Sequence, residues 1–260
     1  MTQLIARVEI DGRPIAGDVE QDRFYPRHGE VPLLGARTGE SFPLASLRLL
    51  PPVAPGKIVA VALNYRTHAA EMGKAPPAEP LFFLKPPSAV IGPGETIRLP
   101  KESALVHHEA ELGLVVGRRL TRATVDEARE AIFGVTGVID VTARDLQRAQ
   151  GHYTRAKGYD TFCPLGPMIA RGLDPADLGL TLRVNGEVRQ LGRTSDQIFG
   201  PYALVAFISR VMTLVPGDVV STGTPAGVGP LVDGDRVELE VEGAGVLELE
   251  VEGASGSAQP

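Results

Sequence analysis

The chain has 260 residues, enough for one large domain or one domain with a small appendage. Hydrophobic residues make up 43% and charged residues 22%, an ordinary globular balance with room for a sizeable core. The net charge of −6 argues against nucleic acid as a partner, because a phosphate backbone calls for a basic surface, although a local pocket can still oppose the global charge and take an anionic substrate.

Residues 1–52 read as short strands separated by Gly and Pro turns, a small N-terminal β-rich subdomain that opens on the strand Leu4-Ile5-Ala6-Arg7-Val8-Glu9-Ile10. Leu49 to Gly56 carries stacked prolines and reads as an extended linker, so a boundary falls here and residues 53–252 form the main domain. Lys57 to Leu63 is a buried strand, Thr67 to Met72 one or two helical turns stopped by Gly73 and Pro76, and Leu81 to Lys85 a further strand. Glu109 to Gly117 is a strand that turns wholly apolar at its end. Val125 to Phe133 is the clearest helix, capped by Thr124 with Glu127 three residues on and stopped by Gly134. The strand Val135 to Val141 follows. Asn185-Gly186 turns a hairpin within Leu180 to Gln190. Tyr202 to Leu214 is an apolar helix. Val219 to Ser221 is a strand, and Arg236 to Val251 a period-2 hairpin turned at Gly243 to Gly245. Residues 253–260 read as a disordered tail. Many short strands with few helices make this an α+β, strand-rich fold rather than regular βαβ winding.

Three carboxylates stand out. Period-2 geometry puts Glu109 and Glu111 on one strand face, about 7 Å apart. Like charges so placed repel unless something positive lies between them, and a hard cation with oxygen ligands would serve. A solvated strand edge is the plainer account of any Glu-x-Glu, as Glu238-x-Glu240 and Glu248-x-Glu250 illustrate by alternating with Val and Leu. Glu109 and Glu111 differ because their strand becomes continuously apolar. Asp140 closes another apolar run and needs a partner, either Arg144 or Lys157 or the same metal. His68 and Glu71 share a helical face, as a general base and its orienting carboxylate or as a weak surface pair; Gly73, Pro76 and Pro77 nearby suit a lid. Lys157 is either a clamp for a substrate carboxylate or a solvated lysine. The loop from Thr222 to Gly229 is either an anion cradle or a tight turn, and it matches neither a P-loop nor a dinucleotide fingerprint.

Other residues carry less. His107 and His108 face opposite ways and neither reads as a ligand; His28 and His152 lie in polar loops. The lone Cys163 excludes an internal disulfide and reads as a buried, inert thiol. No Gly-x-Ser-x-Gly elbow points to a serine hydrolase. The N-terminus lacks the n- and h-regions of a signal peptide. No apolar run approaches the ~18 residues of a membrane span. These features point to the cytoplasm.

Together these segments resemble the fumarylacetoacetate hydrolase family. The resemblance runs through Lys57 to Tyr65 with His68 and Glu71, Phe83-Leu84-Lys85-Pro86-Pro87-Ser88, Glu109-Ala110-Glu111-Leu112 and Asp140 to Gln147. It continues through Lys157 and Asp160 to Pro167, Val184-Asn185-Gly186-Glu187, and Pro216-Gly217-Asp218 on to Thr222-Gly223-Thr224-Pro225, and so covers roughly residues 57–245. It implies a strand-rich mixed β-roll or sandwich and a homodimer. It implies magnesium or manganese held by Glu109, Glu111 and Asp140, a lid pair of His68 and Glu71, and substrate contacts from Gln147, Lys157 and Thr224. The family acts on 2-oxo acids or their enols. Within it, the stretch from Lys157 to Pro167 is most similar to the decarboxylase/isomerase of homoprotocatechuate breakdown, which forms and isomerises 2-hydroxyhepta-2,4-diene-1,7-dioate. The alternatives are an acylpyruvate hydrolase or oxaloacetate decarboxylase on the same site and, from another class, a binding protein that keeps the fold without catalysis.

Overall fold

The structure is a computed structural model in which residues 2–28 and 34–254 are described. Among these, the first fifty positions hold strands β1 (Gln3–Ile10), β2 (Arg13–Glu20), β3 (Arg23–His28), β4 (Ala36–Arg37), β5 (Phe42–Pro43) and β6 (Arg48–Leu50). Next come β7 (Ile58–Ala62), helix α1 (Arg66–Glu71), β8 (Leu81–Lys85), β9 (Val90–Ile91), β10 (Thr96–Arg98), β11 (Val106–His108) and β12 (Ala110–Val116). Helix α2 (Val125–Ala131) leads into β13 (Ile132–Ile139) and β14 (Thr142–Ala143), followed by helices α3 (Arg144–Gln150) and α4 (Thr154–Lys157). The last stretch holds β15 (Cys163–Arg171), β16 (Gly179–Val184), β17 (Glu187–Arg193), helix α5 (Pro201–Val211), β18 (Val219–Ser221), β19 (Gly229–Pro230), β20 (Arg236–Val241) and β21 (Gly245–Glu252).

The large sheet runs β4-β3-β2-β1-β15-β13-β12-β18-β7-β8, and a five-stranded sheet runs β10-β21-β20-β16-β17. Leu112, Leu114 and Val135 of the first sheet share a core with Leu180, Leu182, Leu239 and Leu247 of the second, so the two pack face to face. Pairing is mixed: β18 runs parallel to β7 and antiparallel to β12. This is the strand-rich α+β architecture expected. No helix among the described residues is long and apolar enough to cross a membrane.

Local chemistry explains most elements. Asn185 and Gly186 both take positive φ, 53° and 79°, which a two-residue hairpin turn of the primed type requires. Thr124 and Glu127 form the full capping box on α2. That helix ends two residues before the expected Phe133, because Ile132 is taken into β13 opposite Val116. Gly134 is therefore not a helix stop. It lies mid-strand, where a Cβ would come within 2.6 Å of the Ala170 carbonyl, so glycine lets β15 approach. Helix α5 ends at Val211 rather than Leu214, since Leu214 pairs with Leu120 as an isolated bridge. Leu49 and Leu50 belong to β6, paired with Val8 and Arg7, so the proline-rich linker starts only at Pro51. His28 ends a strand rather than lying in a loop. Gly253 donates to Asp233 Oδ1 at 2.7 Å, while positions 255–260 of the expected tail lie outside the described residues.

Candidate active site

The large sheet assembles the site at one end of its strands. Strands β12 and β13 pair antiparallel with Ala110 opposite Ile139, and the Asp140 amide donates to the Glu109 carbonyl at 2.9 Å. That register brings the start of one strand beside the end of the other. Carboxylate oxygens of Glu109, Glu111 and Asp140, all buried, lie within 4.8 Å of one another. They sit in the wall of a cleft of about 280 Å³, which is also lined by His68, Phe83, Arg144, Gln147, Tyr153, Lys157 and Thr224.

Such a trio needs positive partners, and the fold supplies three buried cations. Lys157 Nζ donates to Glu109 Oε2 at 2.8 Å and also to Asp140 Oδ2. Lys85, at the end of the far edge strand β8, reaches Asp140 Oδ1 at 2.6 Å and the Lys157 carbonyl at 2.6 Å, which shows how far the sheet curls. Arg144 pairs with Glu109 and also donates to the Gln147 side-chain oxygen. Both plain partners considered for Asp140 are thus near, but Lys157 and Lys85 take it while Arg144 takes Glu109.

The three acids are not equivalent. Burial alone would raise the Glu109 carboxyl, but Lys157 and Arg144 hold it well below the usual range. Burial and then the nearby Asp140 push Glu111 up to about 8. Glu111 Oε2 accepts from Ser221 Oγ and from the Gly223 amide, the latter at 2.8 Å. Lys157 would be lowered by burial, yet Asp140, Glu109 and Glu111 raise it to about 12, so it stays charged.

At the cleft mouth, helix α1 is short and carries His68 inward, buried with its Nδ1 2.9 Å from Glu71 Oε2. The other Glu71 oxygen accepts from the Gly227 amide at 2.9 Å, tying the helix to the glycine-rich loop. That loop does cradle anions, but they are the chain's own carboxylates, Glu111 through Gly223 and Glu71 through Gly227. Asn64 clamps the loop before α1 by donating to the Thr222 and Phe199 carbonyls and accepting from the Phe199 amide. Phe83 stacks on Tyr153 with ring centroids 4.5 Å apart and lies under Lys157.

All eight residues singled out from sequence are at or beside this cleft. His68, Glu109, Glu111, Asp140, Gln147, Lys157 and Thr224 line it, and Glu71 backs His68. His107 and His108 are outside the lining; His108 instead faces Gln190, with Nδ1 2.9 Å from Oε1. Cys163 is buried, and burial pushes its thiol up to about 12, as an inert thiol requires. Sequence reasoning gave no role to Lys85, Ser221 or Gln190. Lys85 carried a usable signal, a charge closing an apolar strand, the same argument that flagged Asp140. Ser221 and Gln190 carried none, because only tertiary contact distinguishes them from other strand residues.

A family model described as fumarylacetoacetate (FAA) hydrolase C-terminal matches residues 57–252. The chain belongs to the fumarylacetoacetate hydrolase family. A second model, described as Rv2993c-like N-terminal, matches residues 4–52. The solved 2-hydroxyhepta-2,4-diene-1,7-dioate isomerase of Mycobacterium marinum is 42% identical, with a TM-score of 0.90, over 98% of this chain and 100% of that one. The 5-carboxymethyl-2-hydroxymuconate delta-isomerase of Mycobacterium smegmatis is 44% identical, with a TM-score of 0.90, over 96% of this chain and 100% of that one. A mitochondrial oxaloacetate tautomerase of Arabidopsis thaliana is 43% identical over 202 residues, 75% of this chain and 91% of the relative. The motif resemblance thus names the right family.

Proposed function

We propose that this fumarylacetoacetate hydrolase family member is a divalent-metal-dependent isomerase of a 2-oxo dicarboxylic acid and its enol, with linked decarboxylation, and that its substrate is the 2-hydroxyhepta-2,4-diene-1,7-dioate of homoprotocatechuate breakdown. The observation that carries the reading is the convergence of three buried carboxylates within 4.8 Å at a cleft wall. An all-oxygen donor set of this kind suits magnesium or manganese rather than a softer ion. Glu111, pushed up to about 8 by burial and by Asp140, is a group whose ionisation a cation would favour. A cation held by Glu109, Glu111 and Asp140 would supply Lewis acidity to the 2-oxo group of a substrate.

The chain's own residues do the rest. Lys157, Gln147 and Thr224 orient the substrate carboxylate and hold it in one pose. His68, fixed through Nδ1 by Glu71, keeps its other ring nitrogen for moving a proton between substrate carbon and oxygen. Phe83 and Tyr153 give the cleft an apolar, aromatic side that suits an unsaturated chain. Charge supports a dianion. Three buried acids (Glu109, Glu111, Asp140) balance three buried bases (Lys85, Arg144, Lys157), so a divalent cation would leave this buried cluster two charges positive, the complement of a dicarboxylate. The isomerases named above cover nearly this whole chain, which favours their substrate class. A second reading, tautomerisation of oxaloacetate, is favoured by the 43% identical tautomerase and uses the same groups. The reading includes a homodimer, which light scattering on the eluted protein would check.

A substrate panel with added Mg²⁺ tests the reaction: 2-hydroxyhepta-2,4-diene-1,7-dioate, its tricarboxylate precursor, oxaloacetate and acetylpyruvate. Isomerisation of the first supports the proposal. Activity confined to oxaloacetate moves it to the second reading, and activity confined to acetylpyruvate sinks both in favour of a hydrolase. No turnover on any member, with metal bound, favours a binding protein.

A further inference from the structure

Gln190 lies on β17, in the five-stranded sheet, and its side chain crosses to the large sheet and to the glycine-rich loop. It is buried, and its amide is fully used. Oε1 accepts from the Ala110 amide at 2.9 Å and faces His108 Nδ1 at 2.9 Å. Nε2 donates to Thr224 Oγ1 at 2.7 Å and to the Pro225 carbonyl at 2.9 Å. The orientation of the amide is forced. The Ala110 N–H can only donate and the Pro225 carbonyl can only accept, so the oxygen must face the first and the nitrogen the second. His108 Nδ1 must then carry its proton.

The consequence falls on Thr224. Its oxygen already accepts from Gln190, so its own proton must point elsewhere. The Pro225 carbonyl is 3.4 Å away, a poor acceptor at that distance, and Thr224 lines the cleft. Backbone packing makes this contact close enough. A Cβ at Gly227 would meet the Arg189 carbonyl at 2.2 Å, and one at Gly192 would meet Pro225 Cβ at 2.7 Å, so β17 and the loop are pressed together on both sides of Gln190.

We propose that Gln190 is the positioning residue for substrate recognition: it fixes the Thr224 hydroxyl as a donor into the cleft and, through the Ala110 amide, holds that donor in register with the Glu109–Glu111 segment. The inference rests on the reading of Thr224 as a contact to the substrate carboxylate. Gln190 itself does not line the cleft.

The isosteric Gln190→Glu variant separates the two halves of this role. In its ionised form it keeps an oxygen for the Ala110 amide and for His108, but replaces the donor to Thr224 and to the Pro225 carbonyl by an acceptor. The Thr224 proton then turns toward residue 190 and away from the cleft. The probe is oxalate, an unreactive ligand with adjacent carboxylates, titrated calorimetrically in the presence of Mg²⁺. Gln190→Glu is expected to weaken oxalate binding about tenfold, the scale of one hydrogen bond to a charged group. Its Mg²⁺ affinity without oxalate should not fall, because the added carboxylate lies beside Ala110 and can only favour a cation. Thr224→Val should weaken oxalate equally, and the double variant no further. In turnover, Gln190→Glu should raise KM by the same factor and leave kcat within about twofold of wild type. If Thr224→Val binds oxalate like wild type, or if wild type binds none, the reading of the site fails and this inference with it. If Thr224→Val weakens binding while Gln190→Glu does not, or if the two losses add, the role given to Gln190 alone is overturned.

Discussion

Two Glu-x-Glu pairs in this chain look alike in sequence and behave as opposites. Glu238 and Glu240 lie on β20, where burial alternates with Val237, Leu239 and Val241, and their carboxylates meet exposed Arg236 and half-buried Arg183 at the surface. Glu109 and Glu111 stand at the head of β12, all seven of whose residues are buried, and they face Asp140, Lys157 and Arg144 away from solvent. Spacing is shared. Solvent is what differs, and at short range that decides whether a charge pair is a minor surface contact or a site that must be neutralised.

The sharpest break of the comparison is Asp140→Ala. It leaves Lys85 and Lys157 buried without their shared carboxylate, so metal content should fall to background and stability should drop by about 3–5 kcal/mol. Metal analysis by mass spectrometry and denaturant unfolding read the two effects; unchanged metal content would discard the trio as the site. His68→Ala comes next. It should lower turnover by about 10²- to 10⁴-fold with fold and metal content intact, because only the proposed proton-moving group is lost. Full turnover on every 2-oxo acid tried would remove any proton-transfer role from α1.

The pH response of the metal-free protein follows. Glu111 sits at about 8 against an ordinary 4.5, so the native state holds this proton harder than the unfolded chain does. Its stabilisation is complete below about pH 4.5 and is lost as pH rises toward 8. Glu109, held low by its cations once they overcome burial, works the other way: its stabilisation is present above about pH 4.5 and is lost progressively as pH falls below that. Mg²⁺ competes with the Glu111 proton, so its affinity measured by titration should climb between these limits and flatten above about pH 8. A flat affinity profile would show that Glu111 is ionised without the metal. The smallest effect is Glu240→Ala, which should change unfolding free energy by no more than about 0.5 kcal/mol. A larger loss would mean that the exposed pair is not the idle half of this comparison.

Much of this was open to reading from the residues alone, and the limits have physical causes. Periodicity and turn chemistry exposed the hairpin at Asn185-Gly186, the capped helix at Thr124 and the buried strand after Glu111, because each depends on neighbours within a few positions. Element ends differ from the periodicity where tertiary pairing intervenes: Ile132 belongs to a strand facing Val116 rather than to the helix, and Leu49 faces Val8 rather than opening a linker. The eight candidate site residues are legible only through their ordered motifs, since no local rule separates His68-x-x-Glu71 from a surface pair. Lys85 and Gln190 escaped because their roles exist only once a distant strand arrives. Lys85 meets Asp140 across 55 positions and Gln190 meets Ala110 across 80.

The ladder between β1 and β15 has a consequence for the molecule as a handled object. Leu4 and Ile5 pair with Ala170 and Ile169 in the same strand that flanks β13, so the N-terminal strands seal a hydrogen-bonding edge of the central sheet. A chain shortened to residues 53–254 would present that edge, with Ile169 beside it, to any passing strand. Such a fragment invites edge-to-edge association, and its failure would look like insolubility rather than like loss of the cleft. Strand β1 serves, in that sense, as a cover for the edge of the sheet that carries the cleft.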